Sequence, residues 1–189
     1  MDLYNDAFHK AILSDEYPQA TRLAEYIRDY MHPSNFIDFG CSSGLYVLEV
    51  KNKMPHISVS GYEFATDAVN NKVCDEIIEY DLTKSLNIDK KDNTLGLCLE
   101  VLEHISEDDW EPVLENISKL SDIIIFSAAH PGQGGTGHIN CRPKLDWIRR
   151  FHKLGWVVDL DHTNHTINHM VNGYHLGWFR MNAMVLVKA

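Results

Sequence analysis

Short apolar runs alternate along the chain with longer stretches whose apolar residues recur every three or four positions. From Gln19 to Met31, Leu23, Ala24, Ile27, Tyr30 and Met31 keep the period of one buried helix face, and His32-Pro33-Ser34 stops it. Phe36 to Phe39 predicts a buried strand, and Leu45 to Lys51 a helix leaving the turn between them. Ile57 to Tyr62 alternates as a second strand closed by Glu63, Ala65 to Val73 reads as a helix, and Glu76 to Tyr80 reads as a third strand. A polar connection from Asp81 to Asn93 leads into a fourth strand, Leu95 to Leu99. Ser106, followed by the acids Glu107, Asp108 and Asp109, favours a helix N-terminus and predicts a helix to about Leu120. Ile123 to Ser127 is a fifth strand.

The stretch Ala128 to Asn140 contains HPGQGGTGH, too rich in glycine for regular structure, and predicts a loop over a site. Pro143 suits the first turn of a further helix and Gly155 its C-terminal stop. Trp156 to Leu160 and Arg180 to Lys188 predict two closing strands, separated by the His- and Asn-rich piece His162 to His175. Strands alternating with helices imply an α/β fold: a doubly wound, mostly parallel sheet with helices on both faces.

A chain of 189 residues, 44% of them hydrophobic, has the size and core of one domain, so residues 1–189 are expected to form a single unit with 1–33 as an N-terminal helical lid region. Its longest apolar runs fall far short of the roughly 20 residues of a membrane span. The start, MDLYNDAFHK, lacks a basic-then-apolar pattern, so a cytoplasmic setting without a membrane partner is the default expectation. Cys41, Cys74, Cys98 and Cys141 are scattered with no CxxC pair, which reads as reduced thiols. A net charge of -10 argues against broad nucleic-acid binding. Arg142, Lys144, Arg149, Arg150 and Lys153 cluster locally, at positions that suit the solvated face of a helix.

In such a sheet, ligands bind beyond the C-terminal strand ends. Asp38, Gly40, Ser42, Gly44, Glu63, Asp81, Glu100 and His130 all fall at or just past those ends. The segment DFGCSSG keeps the spacing DxGxGxG with Ser42 in place of the middle glycine. Glu63 stands 23 residues after Gly40, near the ~20 at which an acid can accept from both ribose hydroxyls.

On these residues the chain resembles the class I S-adenosylmethionine-dependent methyltransferases from Phe36 onward. The resemblance implies a Rossmann-like, seven-stranded sheet whose last strand is antiparallel, matched by Trp178 to Val185. It places the methionine part of the cofactor on Asp38, Gly40, Cys41, Ser42 and Gly44, the ribose on Glu63 beside Phe64, and the adenine edge on Asp81 and Leu82, with Leu99 also at the cofactor. NAD, the other nucleotide candidate, would require GxGxxG, whereas Gly40 is followed by no glycine until Gly44.

LEVLEHI, Leu99 to Ile105, is similar to a signature of ubiquinone-pathway O-methyltransferases and of small-RNA 3'-end 2'-O-methyltransferases, although Thr94 replaces the usual Asp. Glu100, Glu103 and His104 stand at i, i+3 and i+4, one face if the segment is helical. Two carboxylates and an imidazole suit a divalent ion such as Mg, Mn or Zn, and related metal-using groups place it on the matching residues; His138, in the loop expected to face the same crevice, is a candidate fourth ligand. The other reading is a helix start whose Glu and His make structural hydrogen bonds. Without a metal, His130 or His138 would serve as general base. His162, His165, His169 and His175 are spaced for no single tight metal site and read as loop or lid residues. Tyr46 and Trp110 read either as borders of an acceptor pocket or as core.

The expected protein is a methyltransferase acting on a small, hydroxyl-bearing acceptor. Two alternatives stand beside it: an RNA-end 2'-O-methyltransferase, and a non-catalytic module that binds S-adenosylmethionine or S-adenosylhomocysteine.

Overall fold

The computed structural model describes residues 17–172 and 176–189. Residues 17–31 form α1, whose last turn, Ile27–Met31, widens to π-helical winding. His32, left-handed at φ 46°, closes it by donating its N–H to the Ile27 carbonyl at 3.0 Å. There follow β1 (Asn35–Phe39), α2 (Leu45–Lys53), β2 (Ser58–Glu63), α3 (Thr66–Asn70), β3 (Ile77–Glu79) and β4 (Thr94–Leu99). The second half contributes α4 (Trp110–Leu120), β5 (Ile123–Ser127), α5 (Lys144–Lys153), β6 (Trp156–Val158), α6 (Leu160–Val171), α7 (Gly177–Asn182) and β7 (Met184–Lys188).

The seven strands form one sheet in the order β3-β2-β1-β4-β5-β7-β6. β1 runs parallel to β2 and to β4, and β7 runs antiparallel to β5 and β6. The expected doubly wound sheet with an antiparallel last strand is therefore present. Strand side chains alternate between two cores: Ile125 joins Leu23, Val47 and Phe179 on one face, while Ile124 and Phe126 join Leu114, Trp147 and Phe151 on the other. Among the described residues no helix is long and apolar enough to cross a membrane.

Several elements differ from the reading of the sequence. The stretch expected as a strand from Arg180 is helical through Asn182, because Phe179 and Asn182 are buried three positions apart, a helical spacing, and β7 begins only at Met184. The expected strand to Leu160 ends at Val158. Asp159 caps α6 instead, its carboxylate accepting the His162 N–H at 2.9 Å. The expected histidine loop is thus mostly a helix, with Thr163, Thr166 and Met170 on its buried side. His165 and His169 pack against Tyr26 and Tyr30 of α1 and do not join His162 in a metal site, while His175 lies outside the described residues. α4 starts at Trp110 because Ser106 Oγ donates to Asp109 at 2.7 Å in a turn. Of the expected lid region, α1 is packed into the sheet core, and residues 1–16 lie outside the described residues.

Candidate active site

The sheet order reverses between β1 and β4, so the crevice opens beyond their carboxyl ends. Asp38, 3% exposed, is the next-to-last residue of β1, just before the turn. Gly40, Ser42 and Gly44 all lie in the left-handed region, at φ 79°, 50° and 87°. Ser42 thus takes the backbone shape of the glycine it replaces, at a strain of roughly 1–2 kcal/mol. Gly40 is required by contact as well as by conformation, since a Cβ there would lie 2.6 Å from Val101 Cγ2. The Cys41 side chain is buried against Gly61, and burial pushes its thiol far above the ordinary range, so only its backbone faces the turn's chemistry.

Glu63, ending β2, reaches this turn. Its Oε2 accepts from the Ser42 N–H at 2.8 Å, and its Oε1 from the N–H groups of Phe64 and Ala65 at 2.9 and 2.8 Å. A carboxylate offers about four acceptor positions, so capacity remains for a further donor. Phe64 is 68% exposed beside it. Asp81 closes a local turn, accepting from Thr83 N–H and Oγ at 3.0 and 2.6 Å. The Leu82 side chain is committed to the core, as is most of Tyr46, and Trp110 packs between Arg150 and Trp147. Leu99, half-buried, ends β4.

The segment after β4 is not a helix carrying Glu100, Glu103 and His104 on one face. Glu100 turns the chain at φ 53°, and only Leu102–His104 forms a single tight turn of 3-10 winding. The ligand-type groups that converge are Glu103, His104 and His138, with one donor atom of each within 4.8 Å of the others. Glu103 is completely buried, and neither carboxylate oxygen makes a well-formed hydrogen bond, its nearest polar neighbours being its own and the Ala129 N–H and the Glu100 carboxyl. Burial, reinforced by the neighbouring Glu100 charge, pushes its carboxyl up to about 8.

Both imidazoles are oriented by backbone. His104 Nδ1 faces the Gly137 carbonyl at 3.2 Å and His138 Nδ1 faces the Gln133 carbonyl at 3.3 Å. A carbonyl only accepts, so the neutral His104 ring carries its hydrogen on Nδ1, the orientation of a metal ligand that uses Nε2, while His138 Nδ1 meets the Cys141 thiol at 3.6 Å as well as its carbonyl. Burial lowers the pKa of His104, favouring its neutral form. His138 Nε2 lies 3.9 Å from Glu103 Oε1. The loop is fastened there by the N–H groups of Ile139 and Asn140, which donate to the Glu103 carbonyl at 2.8 and 2.9 Å. A buried carboxylate without a well-formed hydrogen bond, beside two imidazoles within ligand reach, fits a divalent cation.

Gly135 makes room for the His138 ring, as a Cβ there would lie 2.1 Å from Nε2. Gly135→Ala is expected to push the ring aside and weaken Mn2+ binding at least about ten-fold by titration, with the circular dichroism spectrum unchanged.

Glu100 is not among the converging groups. Gln133 Nε2 donates to its Oε2 at 2.5 Å and Asn182 Nδ2 to its Oε1 at 3.1 Å. Asn182 also contacts His130 Nδ1 through Oδ1, at 3.2 Å. Gln133 and Asn182 were not flagged by the sequence. The one signal available was an amide side chain among the glycines of a loop expected over a site. The basic cluster is largely engaged internally: Arg142 pairs with Glu107 and Asn140, Lys144 donates to the Ala183 carbonyl, and Arg150 lies 3.8 Å over the Trp110 ring.

A seven-stranded sheet in this order is a Rossmann-like fold, and solved O-methyltransferases share that fold. Among solved structures, the chain is similar to Streptomyces venezuelae DesVI, with TM-score 0.70 and 11% identity over 97% of this chain and 96% of that one. It is also similar to the O-methyltransferase of a Brevibacillus brevis trans-AT PKS multienzyme, solved with S-adenosyl-L-homocysteine, with TM-score 0.63 and 18% identity over 92% of this chain and 72% of that one. An O-methyltransferase family protein from Burkholderia thailandensis gives TM-score 0.68 and 13% identity over 97% of this chain, which spans 58% of its length. Neither a protein-family model nor a curated protein matches the sequence.

Proposed function

We propose that the protein transfers a methyl group from S-adenosylmethionine to a hydroxyl oxygen of a small acceptor bound near Glu103, His104 and His138. The observation that carries this reading is the Glu63 carboxylate, which reaches the glycine turn at the switch point and keeps acceptor capacity for a ribose diol. Asp38, Gly40, the Cys41 backbone, Ser42 and Gly44 would line the methionine end. Phe64 offers an exposed ring face, and Asp81 with the Leu82 backbone would border the adenine.

A sulfonium supplies a methyl carbon already activated for attack. The protein's own tasks are to align the acceptor oxygen with that carbon and to take its proton. His130 is the base in this reading. As the O–H bond breaks, its proton passes to the imidazole, the new O–C bond forms, the S–C bond breaks, and the donor leaves as the neutral thioether. Glu103, His104 and His138 would hold a divalent cation, which, when bound, supplies a Lewis acid that lowers the pKa of a coordinated hydroxyl. A small acceptor is favoured over an RNA end because three of the five residues of the basic cluster are engaged by Glu107, Trp110 and Ala183 and the chain carries a net charge of -10.

Calorimetric titration with S-adenosylmethionine and S-adenosylhomocysteine tests the reading. Binding is expected, weakened at least about ten-fold in Glu63→Ala, which removes the carboxylate from three backbone N–H groups. No binding of either compound by the unaltered protein sinks the proposal. A screen of catechols, sugars, small hydroxy acids and RNA 3' ends then identifies the acceptor.

A further inference from the structure

Four polar side chains outside the Glu103 cluster form a chain with one consistent hydrogen-bonding direction. Glu100 comes from the end of β4, His130 and Gln133 from the loop after β5, and Asn182 from the last residue of α7. A carboxylate accepts and does not donate, so Gln133 and Asn182 must both turn their amide nitrogens toward Glu100. The two amides then interlock, because Asn182 Nδ2 also donates to Gln133 Oε1 at 2.8 Å. Asn182 is 3% exposed, and flipping its amide would set an oxygen against the Glu100 carboxylate and the Gln133 oxygen together.

Its Oδ1 is therefore committed to His130 Nδ1, 3.2 Å away. An amide oxygen only accepts, so Nδ1 must carry the hydrogen, and the lone pair of the neutral ring sits on Nε2. That nitrogen has no hydrogen-bond partner among the described residues, and the ring is partly exposed.

We infer that Glu100, Gln133 and Asn182 are positioning residues that lock His130 in the Nδ1–H tautomer and so present Nε2 as a proton acceptor. The use of that acceptor rests on the methyl-transfer reading, while the tautomer does not. In the transfer, the proton leaving the acceptor oxygen ends on Nε2, giving an imidazolium whose Nδ1–H bond to Asn182 is retained. Glu100 thereby has a task that Glu103 lacks: each of its oxygens accepts from an amide, while its carboxyl also neighbours that of Glu103.

Side-chain nitrogen spectra of 15N-histidine-labelled protein, recorded above the imidazole pKa, read the tautomer directly, and His130→Gln assigns the signal. The unaltered protein is expected to show His130 as Nδ1–H. Glu100→Gln, which can turn an NH2 toward Asn182, and Asn182→Leu should both move it toward the Nε2–H form that a free imidazole prefers. If Asn182→Leu fails to fold, the nearly isosteric Glu100→Gln decides alone. An Nε2–H signal in the unaltered protein, or no change in the variants that fold, overturns the inference. The spectra require neither donor nor acceptor, so the tautomer is read even from a protein that methylates nothing. In an active preparation, Glu100→Gln should lower kcat at least about ten-fold and leave the KM for S-adenosylmethionine within about two-fold, which loss of donor binding would not do.

Discussion

Raising the pH of chelator-treated protein from about 5 to about 9 is expected to lower its thermal stability, and Glu103→Gln is expected to flatten that slope. The Glu103 carboxyl is buried with no well-formed hydrogen bond to either oxygen, and burial pushes its pKa from 4.5 up to about 8 against the pull of nearby backbone N–H groups. Below 4.5 it is protonated in both the folded and unfolded states and costs nothing. Between 4.5 and about 8 the unfolded chain releases the proton while the folded one keeps it, so stability falls as pH rises through that window. Above it, the charge is present in both states and the whole penalty applies. At about 1.36 kcal/mol per pH unit the ceiling is about 5 kcal/mol, or about 10–20 °C in Tm for a domain this size. A divalent ion would compete with that proton, so Mn2+ should stabilise the protein more at pH 8 than at pH 6. Parallel Tm curves for the unaltered protein and Glu103→Gln, both in chelator, would count against this account of the site.

The second large effect is expected at Gly40. An alanine there must hold φ 79° and bring its Cβ to 2.6 and 2.8 Å from the two γ-methyl carbons of Val101. Left-handed strain of roughly 1–2 kcal/mol and overpacking of about 1–3 kcal/mol together predict a loss of about 2–5 kcal/mol in chemical denaturation. Val101 lies between Glu100 and Glu103, so the same push should weaken both S-adenosylhomocysteine and Mn2+ binding, joining two halves of the site that are far apart in sequence. Adding Val101→Ala removes the clashing methyls and should restore part of the loss, as a double-mutant cycle would register. If the double variant is less stable than Gly40→Ala alone, the contact is not the cause.

The sheet was legible because its central strands are four- or five-residue apolar runs bounded by turns, as Phe36 to Phe39 and Ile123 to Ser127 show. α6 was hidden because its buried side uses Thr163 and Thr166 next to Met170, residues that apolar periodicity does not register. α7 was hidden because Trp178 to Met181 merges in composition with the strand after it, and six residues are too few for a period to declare itself. In the candidate site, the chain order of turn, acid and LEVLEH picked out segments that the sheet brings to its carboxyl edge. The convergence of Glu103, His104 and His138, and the separation of Glu100 from them, depend on a left-handed residue and a docked loop that spacing does not encode. Asn182 was beyond reach for the same reason, since its importance comes wholly from partners 82, 52 and 49 positions away.

The antiparallel course of β7 explains how Asn182 arrives at all. Parallel strands finish at the ligand edge, and whatever follows them departs from it. A strand running the other way begins at that edge: Met184 pairs with Phe126, near the end of β5. The residues just before β7 are therefore brought to the crevice by the sheet itself, on a rigid element and not at the tip of a loop. Reversing one strand gives the ligand edge an incoming segment beside its outgoing ones, and that segment supplies the amide which sets the orientation of His130.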